Sequence, residues 1–294
     1  LQKQLHGTKN SSQKMAEKII ITCGSGFIGT HLVEELYKKG YETFILDTKE
    51  TKTKEANFLY GDIRDAQHMK ECITKIQPSA IIHLAGMVNG KSKDLYEINV
   101  EGTKNILNAF SGKVIFMSTG MVYQGNEPPY HEEMPIHPID EYPKTKRMAE
   151  ELCMERENVS IIRASVVYGK GQKEEMFLPQ LRDAVLVKKQ PFRMTKGEQK
   201  RDFIHVKDLV KAIGILLKTN APGVFNISSA KQIAIQEVIE KAKKILGEFP
   251  IEQSMSYRPN EMWGYTLSNE KAKKNLQWNP EISFEEGLKE ILEG

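Results

Sequence analysis

Apolar and polar positions follow two rhythms along the first half of the chain. Lys18-Ile19-Ile20-Ile21 is a short apolar run that predicts a buried strand. From Ile28 to Lys39 the apolar residues Ile28, Leu32, Val33 and Leu36 recur at helical spacing, and Gly40 stops the helix. Strands are predicted next at Thr43-Phe44-Ile45-Leu46, ending at Asp47, and at Asn57-Phe58-Leu59-Tyr60. A helix over Asp65 to Ile76 leads to the strand Ala80-Ile81-Ile82-His83-Leu84. A helix over Leu95 to Phe110 leads to the strand Val114-Ile115-Phe116-Met117, and one from about Glu141 to Glu157 leads to Ser160-Ile161-Ile162-Arg163. This alternation calls for an α/β fold, a parallel sheet covered on both faces and doubly wound by right-handed crossovers. Ligands bind such sheets beyond the carboxyl ends of the strands.

After Gly169 the rhythm changes. Helices are predicted at Met176 to Lys188, Asp208 to Lys218, Ile235 to Leu246 and Glu270 to Leu276, with one short strand from Gly223 to Ile227. The pattern divides the chain into a tail (1–16), a first domain (17–168, with a later contribution from about 203–227) and a mainly substrate-binding second part (169–294).

Composition adds limits. A chain of 294 residues can bury enough apolar surface to fold without a disulfide or metal staple. Its net charge of +3, with 28% charged residues of both signs, gives no case for nucleic acid. The apolar runs, such as Lys18 to Thr22 and Ala80 to Ala85, are too short to span a bilayer. Cys23, Cys72 and Cys153 lack metal-ligand spacing, and their odd number argues against a disulfide framework, so no metal and a reduced, cytoplasmic setting are expected. Leu1 to Met15 are polar, lack the apolar stretch of a secretory signal and read as a flexible tail.

The first chemical signal follows the first strand. Gly24, Gly26 and Gly29 satisfy G-x-G-x-x-G between a strand and a helix. Glycines let the backbone approach a pyrophosphate, and the helix N-terminus supplies free N–H groups and the positive end of a dipole. Asp47 ends the next strand, where an acid can bind a ribose 2′-hydroxyl. An acid there would repel a 2′-phosphate. That favours NAD over NADP, although Lys49 and Lys52 keep NADP open.

The second signal is Tyr142 with Lys146, four apart and so on one face of the predicted helix, with Pro143 in its first turn. A tyrosine base must lose a proton near neutrality, and moving its pKa from about 10 to about 7 takes roughly 4 kcal/mol of phenolate stabilisation. A neighbouring ammonium and the positive nicotinamide can supply it. Ser118 and Thr119 follow the strand that ends at Met117, at the carboxyl end of the sheet. Taken singly, either hydroxyl could equally cap a turn.

Together these motifs resemble the extended short-chain dehydrogenase/reductase family, the NAD-dependent epimerase/dehydratase group acting on nucleotide sugars. The likeness runs from about Lys18 to Leu292. The family's T-G-x-x-G-F-I-G loop matches Thr22 to Gly29, including Phe27 and Ile28, except that Cys23 replaces its first glycine. The adenine segment matches Gly61-Asp62-Ile63-Arg64-Asp65, the cofactor-lining H-L-A-A segment matches His83-Leu84-Ala85-Gly86, and the N-V-x-G-T-x-N helix matches Asn99 to Asn105. Later segments match Arg163 to Gln172, Arg201-Asp202-Phe203 and Leu276 to Pro280. The resemblance implies a Rossmann-type sheet with a smaller C-terminal substrate-binding domain. It implies that Gly24, Gly26, Phe27, Ile28, Gly29, Asp47, Asp62, Ile63, Leu84, Ala85, Gly86, Asn99, Ser118, Tyr142 and Lys146 hold NAD. Tyr142 would take a sugar hydroxyl proton while NAD takes the hydride, Lys146 would lower the tyrosine pKa and bind the ribose, and Thr119 would hydrogen-bond the reacting oxygen. The resemblance also implies a homodimer, with the Asn99 and Tyr142 helices of two subunits forming a four-helix bundle.

Departures from the family pattern narrow the chemistry. Dehydratases and decarboxylases carry an acid just after the active-site hydroxyl, where this chain has Gly120 and Met121. That leaves an epimerase, or alternatively a ketoreductase, with a non-catalytic dinucleotide sensor as a third reading. The Asn expected three residues after Arg163 is Val166, whereas the diphosphate-clamping arginines match as Arg201 and Arg258, whose planar forks suit phosphate. The segment between Gly86 and Asn99 is shorter than usual. Glu132-Glu133 lies in a Pro-rich loop and reads as solvated. His131, His137 and His205 read as structural, Met117 and Met121 as packing, and Lys271 to Lys274 as a solvated helix face. At the helix N-terminus the Cys23 thiol is a candidate for a lowered pKa.

Overall fold

The computed structural model describes residues 16–51, 53–219 and 221–294; the tail predicted before them and Lys52 lie outside the described residues. Strands β1 (Lys18–Thr22), β2 (Glu42–Asp47) and β3 (Asn57–Tyr60) come first, with α1 (Phe27–Lys38) between β1 and β2. Then α2 (Ala66–Ile76) leads to β4 (Ala80–His83). The helix predicted from Leu95 starts earlier and is not uniform: α3 (Ser92–Tyr96) passes through a π-helical turn, Glu97–Glu101, into α4 (Gly102–Ala109). Strand β5 (Lys113–Thr119), α5 (Glu141–Met154) and β6 (Val159–Ala164) complete the first half.

The seven-stranded sheet has the order β11-β6-β5-β4-β1-β2-β3, where β11 is Gly223–Ile227. Every pair in it is parallel. The chain runs outward from β1 to β3 on one side, then crosses to β4 and runs outward on the other. The reversal lies between β1 and β4, so the crevice beyond their carboxyl ends is where a ligand fits.

Alternate residues of the strands go to opposite faces, and each face has its own core. On one, Ile19, Ile21 and Ile82 pack with Leu32 and Leu36 of α1 and with Ile213 and Leu216 of α7 (Val206–Lys218). On the other, Ile20, Ile81 and Phe116 pack with Met69 and Ile73 of α2, Ile106 of α4 and Ala149 of α5. Residues buried on both faces explain why the strands read as continuous apolar runs.

The second half was less legible. Between β6 and α7 lie β7 (Val166–Tyr168), α6 (Phe177–Arg182), β8 (Phe192–Arg193), β9 (Lys200–Arg201) and β10 (Phe203–His205). The predicted helix from Met176 to Lys188 is α6 plus a π-helical turn, Asp183–Val187. After β11 come β12 (Ile233–Ala234), α8 (Ile235–Leu246), β13 (Ile251–Glu252), α9 (Glu270–Leu276) and α10 (Phe284–Glu293). No prediction covered α10, although Ser283 and Glu286 form a capping box at its start. Helices α6, α8 and α10 share a separate apolar cluster around Leu181, Val238 and Leu288. Among the described residues no helix is long and apolar enough to cross a membrane.

Candidate active site

The glycine turn joins β1 to α1. Cys23 donates its N–H to Leu46 O at 3.0 Å, and Gly26 donates to Cys23 O at 3.1 Å, which folds the turn back on itself. A Cβ on Gly29 would stand 2.6 Å from Cys23 O and from Gly24, so the helix meets the turn at backbone contact. The first turn of α1 has neither a side-chain cap nor an acidic residue. Its leading N–H groups and dipole end are therefore available to an anion. Asp47 stands beside this turn, its carboxylate accepting from Ser25 N at 3.2 Å and Lys49 N at 3.1 Å. An uncapped helix start with a fixed acid beyond the adjacent strand fits a dinucleotide.

Cys23 has φ 56°, in the left-handed region. A side chain costs roughly 1–2 kcal/mol there. The thiol is not activated. Burial, and secondarily Asp47, raise its pKa, contrary to the expectation from the helix N-terminus.

The carboxyl end of β4 is held by a buried relay. Thr103 donates to Asn99 O at 2.7 Å, so its oxygen accepts from His83 Nε2 at 3.0 Å. Thr22 accepts from Ala85 N at 3.1 Å and gives its proton to His83 Nδ1 at 2.7 Å. Burial pushes the His83 imidazole down to about 3, so it is neutral, with its proton on Nε2. Asn99, in the π-helical turn, pairs with Met87 N at 2.7 Å and Met87 O at 2.9 Å and donates to Thr145 at 2.9 Å. It ties Met87, directly after the Leu84–Gly86 segment, to α5.

Tyr142 and Lys146 share one face of α5. Burial pushes the Tyr142 phenol up to about 12, and its hydrogen bond with Thr119 pulls it part of the way back. Lys146 is buried beneath, with Nζ 4.2 Å from the centre of the Phe116 ring. Burial brings its ammonium down to about 8, while Cys153 and Glu150 act to raise it. Reaching a phenolate at pH 7 from about 12 takes about 7 kcal/mol, more than sequence reasoning suggested.

Other predicted residues take particular positions. Asp62 is clamped by Arg64, with Nη2 to Oδ2 at 2.6 Å, which lowers its pKa. Ile63 buries its side chain against Gly102, so only its main chain can face a cofactor. Ser118 turns its hydroxyl to Glu150 instead of toward the crevice. Arg201 is ion-paired with Glu261 and donates to Met262 O at 2.6 Å. Arg258 is exposed. Glu132 corrects the solvated-loop expectation: it is half-buried and accepts from Asn226 N at 2.8 Å. His205 is buried and accepts from Lys207 N at 3.3 Å at the start of α7. Sequence reasoning missed Glu150, although Tyr142, Lys146 and Glu150 at successive four-residue steps mark one helix face.

Known proteins resemble this chain in sequence and fold. The model of the NAD dependent epimerase/dehydratase family matches residues 19–228. The chain belongs to this family. It is thus an NAD-dependent enzyme of the extended short-chain dehydrogenase/reductase type. A putative UDP-glucose 4-epimerase of Methanocaldococcus jannaschii is 31% identical, over 93% of this chain and 97% of its own. A UDP-N-acetyl-alpha-D-glucosaminuronate decarboxylase of Bacillus cytotoxicus is 30% identical, over 95% and 98%. The structure of a UDP-glucuronic acid 4-epimerase from Bacillus cereus, in complex with UDP-glucuronic acid and NAD, superposes with a TM-score of 0.86 at 26% identity, over 94% of this chain and 98% of that one.

Proposed function

We propose that this family member is a nucleotide-sugar epimerase that oxidises and re-reduces one sugar carbon, of the 4-epimerase type. Bound NAD supplies a hydride acceptor and a positive charge beside the phenol. Tyr142 takes the sugar hydroxyl proton, Thr119 orients the reacting oxygen and Lys146 holds the ribose and favours the phenolate. Asp47 receives the adenosine ribose, which favours NAD over NADP. Arg201 and Arg258 are assigned to the substrate diphosphate; Arg201 must then exchange Glu261 for phosphate.

The observation that carries this reading lies at Gly120. A Cβ there would stand 2.5 Å from the Tyr265 hydroxyl and 2.8 Å from the Leu267 methyls. The position that carries an acid in dehydratases is taken up here by the Tyr265 hydroxyl and the Leu267 methyls, which a side chain at position 120 would have to displace, and Met121 next to it cannot move a proton. Removal of a hydroxyl or carboxyl group has no acid–base partner at this place, whereas hydride exchange at one carbon needs only Tyr142, Thr119 and the cofactor. The alternative is a ketoreductase, which shares all three. The test is incubation with UDP-, dTDP-, GDP- and CDP-sugars. The expected result is conversion to an epimer with no net use of NADH; stoichiometric NADH consumption would replace the epimerase by the reductase.

We also infer a homodimer through α3, α4 and α5, and a cytoplasmic location. Support for the dimer is the exposed Tyr96, Met148 and Met154, at 40%, 39% and 54%.

A further inference from the structure

Behind the reacting residues runs a chain of buried polar groups that the proposed chemistry does not use. Glu150, one turn after Lys146 on α5, is 1% exposed. It accepts the Ser118 hydroxyl from β5. Arg163 of β6 clamps it through Nε to Oε1 at 3.1 Å and Nη2 to Oε2 at 2.7 Å. Arg163 then donates to the Tyr123 hydroxyl at 2.7 Å, and Tyr123 donates to Asn226 of β11 at 2.9 Å.

A buried ion pair is expensive to desolvate and is often replaceable by apolar residues, so its presence needs a reason other than stability. The reason lies in what it connects. Thr119 sits on β5 directly after Ser118. Tyr142 and Lys146 sit on α5, on the face that carries Glu150. We propose that Glu150 is a positioning residue: it fixes the end of β5, with Thr119, against the helix face of Tyr142 and Lys146, and places its charge opposite Lys146. Arg163 aims that carboxylate, since a bidentate pair sets orientation.

The surroundings of Lys146 leave this role to Glu150. From β4 the facing group is His83, which burial keeps neutral. From β5 it is the ring of Phe116. On α5 itself they are Tyr142 and Cys153, and burial pushes the Cys153 thiol up to about 12, so it carries no charge at neutral pH. Among these neighbours Glu150, one turn further along α5, is the carboxylate that acts with Cys153 to raise the Lys146 pKa.

This inference rests on the catalytic reading of Tyr142 and Lys146, and its test does not need turnover. In the NAD-loaded protein, 15N NMR of the lysine amines reports the titration of Lys146, identified by the signal lost in Lys146→Met. Glu150→Gln is expected to move that titration to lower pH by roughly one unit. Ser118→Ala, which frees β5 without removing charge, should leave the titration in place and slow reduction of bound NAD by a nucleotide sugar about tenfold in the NAD-saturated protein. Should Glu150→Gln fail to fold with Arg163 unpaired, Glu150→Gln/Arg163→Met removes both charges and must give the same shift. An unmoved Lys146 titration in Glu150→Gln, or an unchanged rate in Ser118→Ala, overturns the proposal. A shifted Lys146 in a protein that epimerises no sugar would retain the charge role of Glu150 and reject the epimerase.

Discussion

The two ends of the crevice are built from different materials. At β1 the site is backbone: a folded-back turn, an uncapped helix start and a glycine, Gly29, packed so tightly on the turn that a Cβ would stand 2.6 Å from it. At β5 and α5 it is side chain: a buried lysine, a half-buried phenol and a buried ion pair behind them. A backbone site is intolerant of added volume. A side-chain site is held against its own electrostatics and gives up stability for reactivity. The contrast predicts opposite signs for mutations at the two ends.

The largest effect on stability is expected at Lys146. Its folded pKa of about 8 lies below the usual 10.5, so the unfolded chain binds the proton more strongly. The destabilisation is fully present below about pH 8 and is lost as pH rises toward 10.5. Lys146→Met should therefore raise stability at pH 7, by on the order of 3 kcal/mol, while abolishing turnover. Denaturant unfolding from pH 7 to 10.5 checks this, with wild-type stability rising toward that of the variant. A less stable Lys146→Met would erase the contrast.

Gly29→Ala should act the other way. Its Cβ must push the turn open, at roughly 1–3 kcal/mol, and NAD affinity should fall by about tenfold or more. Calorimetric titration with NAD reads it directly, and retained affinity would show that the turn is not the pyrophosphate site.

Cys23→Gly should have the smallest effect. Relief of the left-handed strain gains roughly 1–2 kcal/mol, and the freer unfolded chain takes back about 0.5–1. A net rise of no more than about 1.5 kcal/mol with tighter NAD binding is expected, seen as a higher melting temperature and a lower Kd. Weaker binding would mean that the thiol itself contributes a contact.

What the sequence disclosed follows the same division. The strands of the sheet and helices α1, α2 and α5 were legible because burial on one or both faces imposes an apolar rhythm. The glycine turn was legible because Gly24 and Gly29 leave no room for a Cβ. The π-helical turn at Glu97–Glu101 was not, since it keeps helical periodicity while shifting Asn99 into place. Strands of two or three residues, such as β7 and β9, are too short to show a period. The partner of Ser118 was hidden because Glu150 and Arg163 are charged residues that look solvated until the fold buries them together. Gly120 read as a missing acid; only the structure shows Tyr265 and Leu267 closing its place.

The central claim is that Tyr142 moves the proton as the hydride leaves the sugar. The direct measurement is the rate at which a bound nucleotide sugar reduces protein-bound NAD, followed by the absorbance of the reduced nicotinamide, in the wild type and in Tyr142→Phe. The account predicts a fall of about 10²–10⁴-fold with NAD still bound. An unchanged rate in Tyr142→Phe would contradict it.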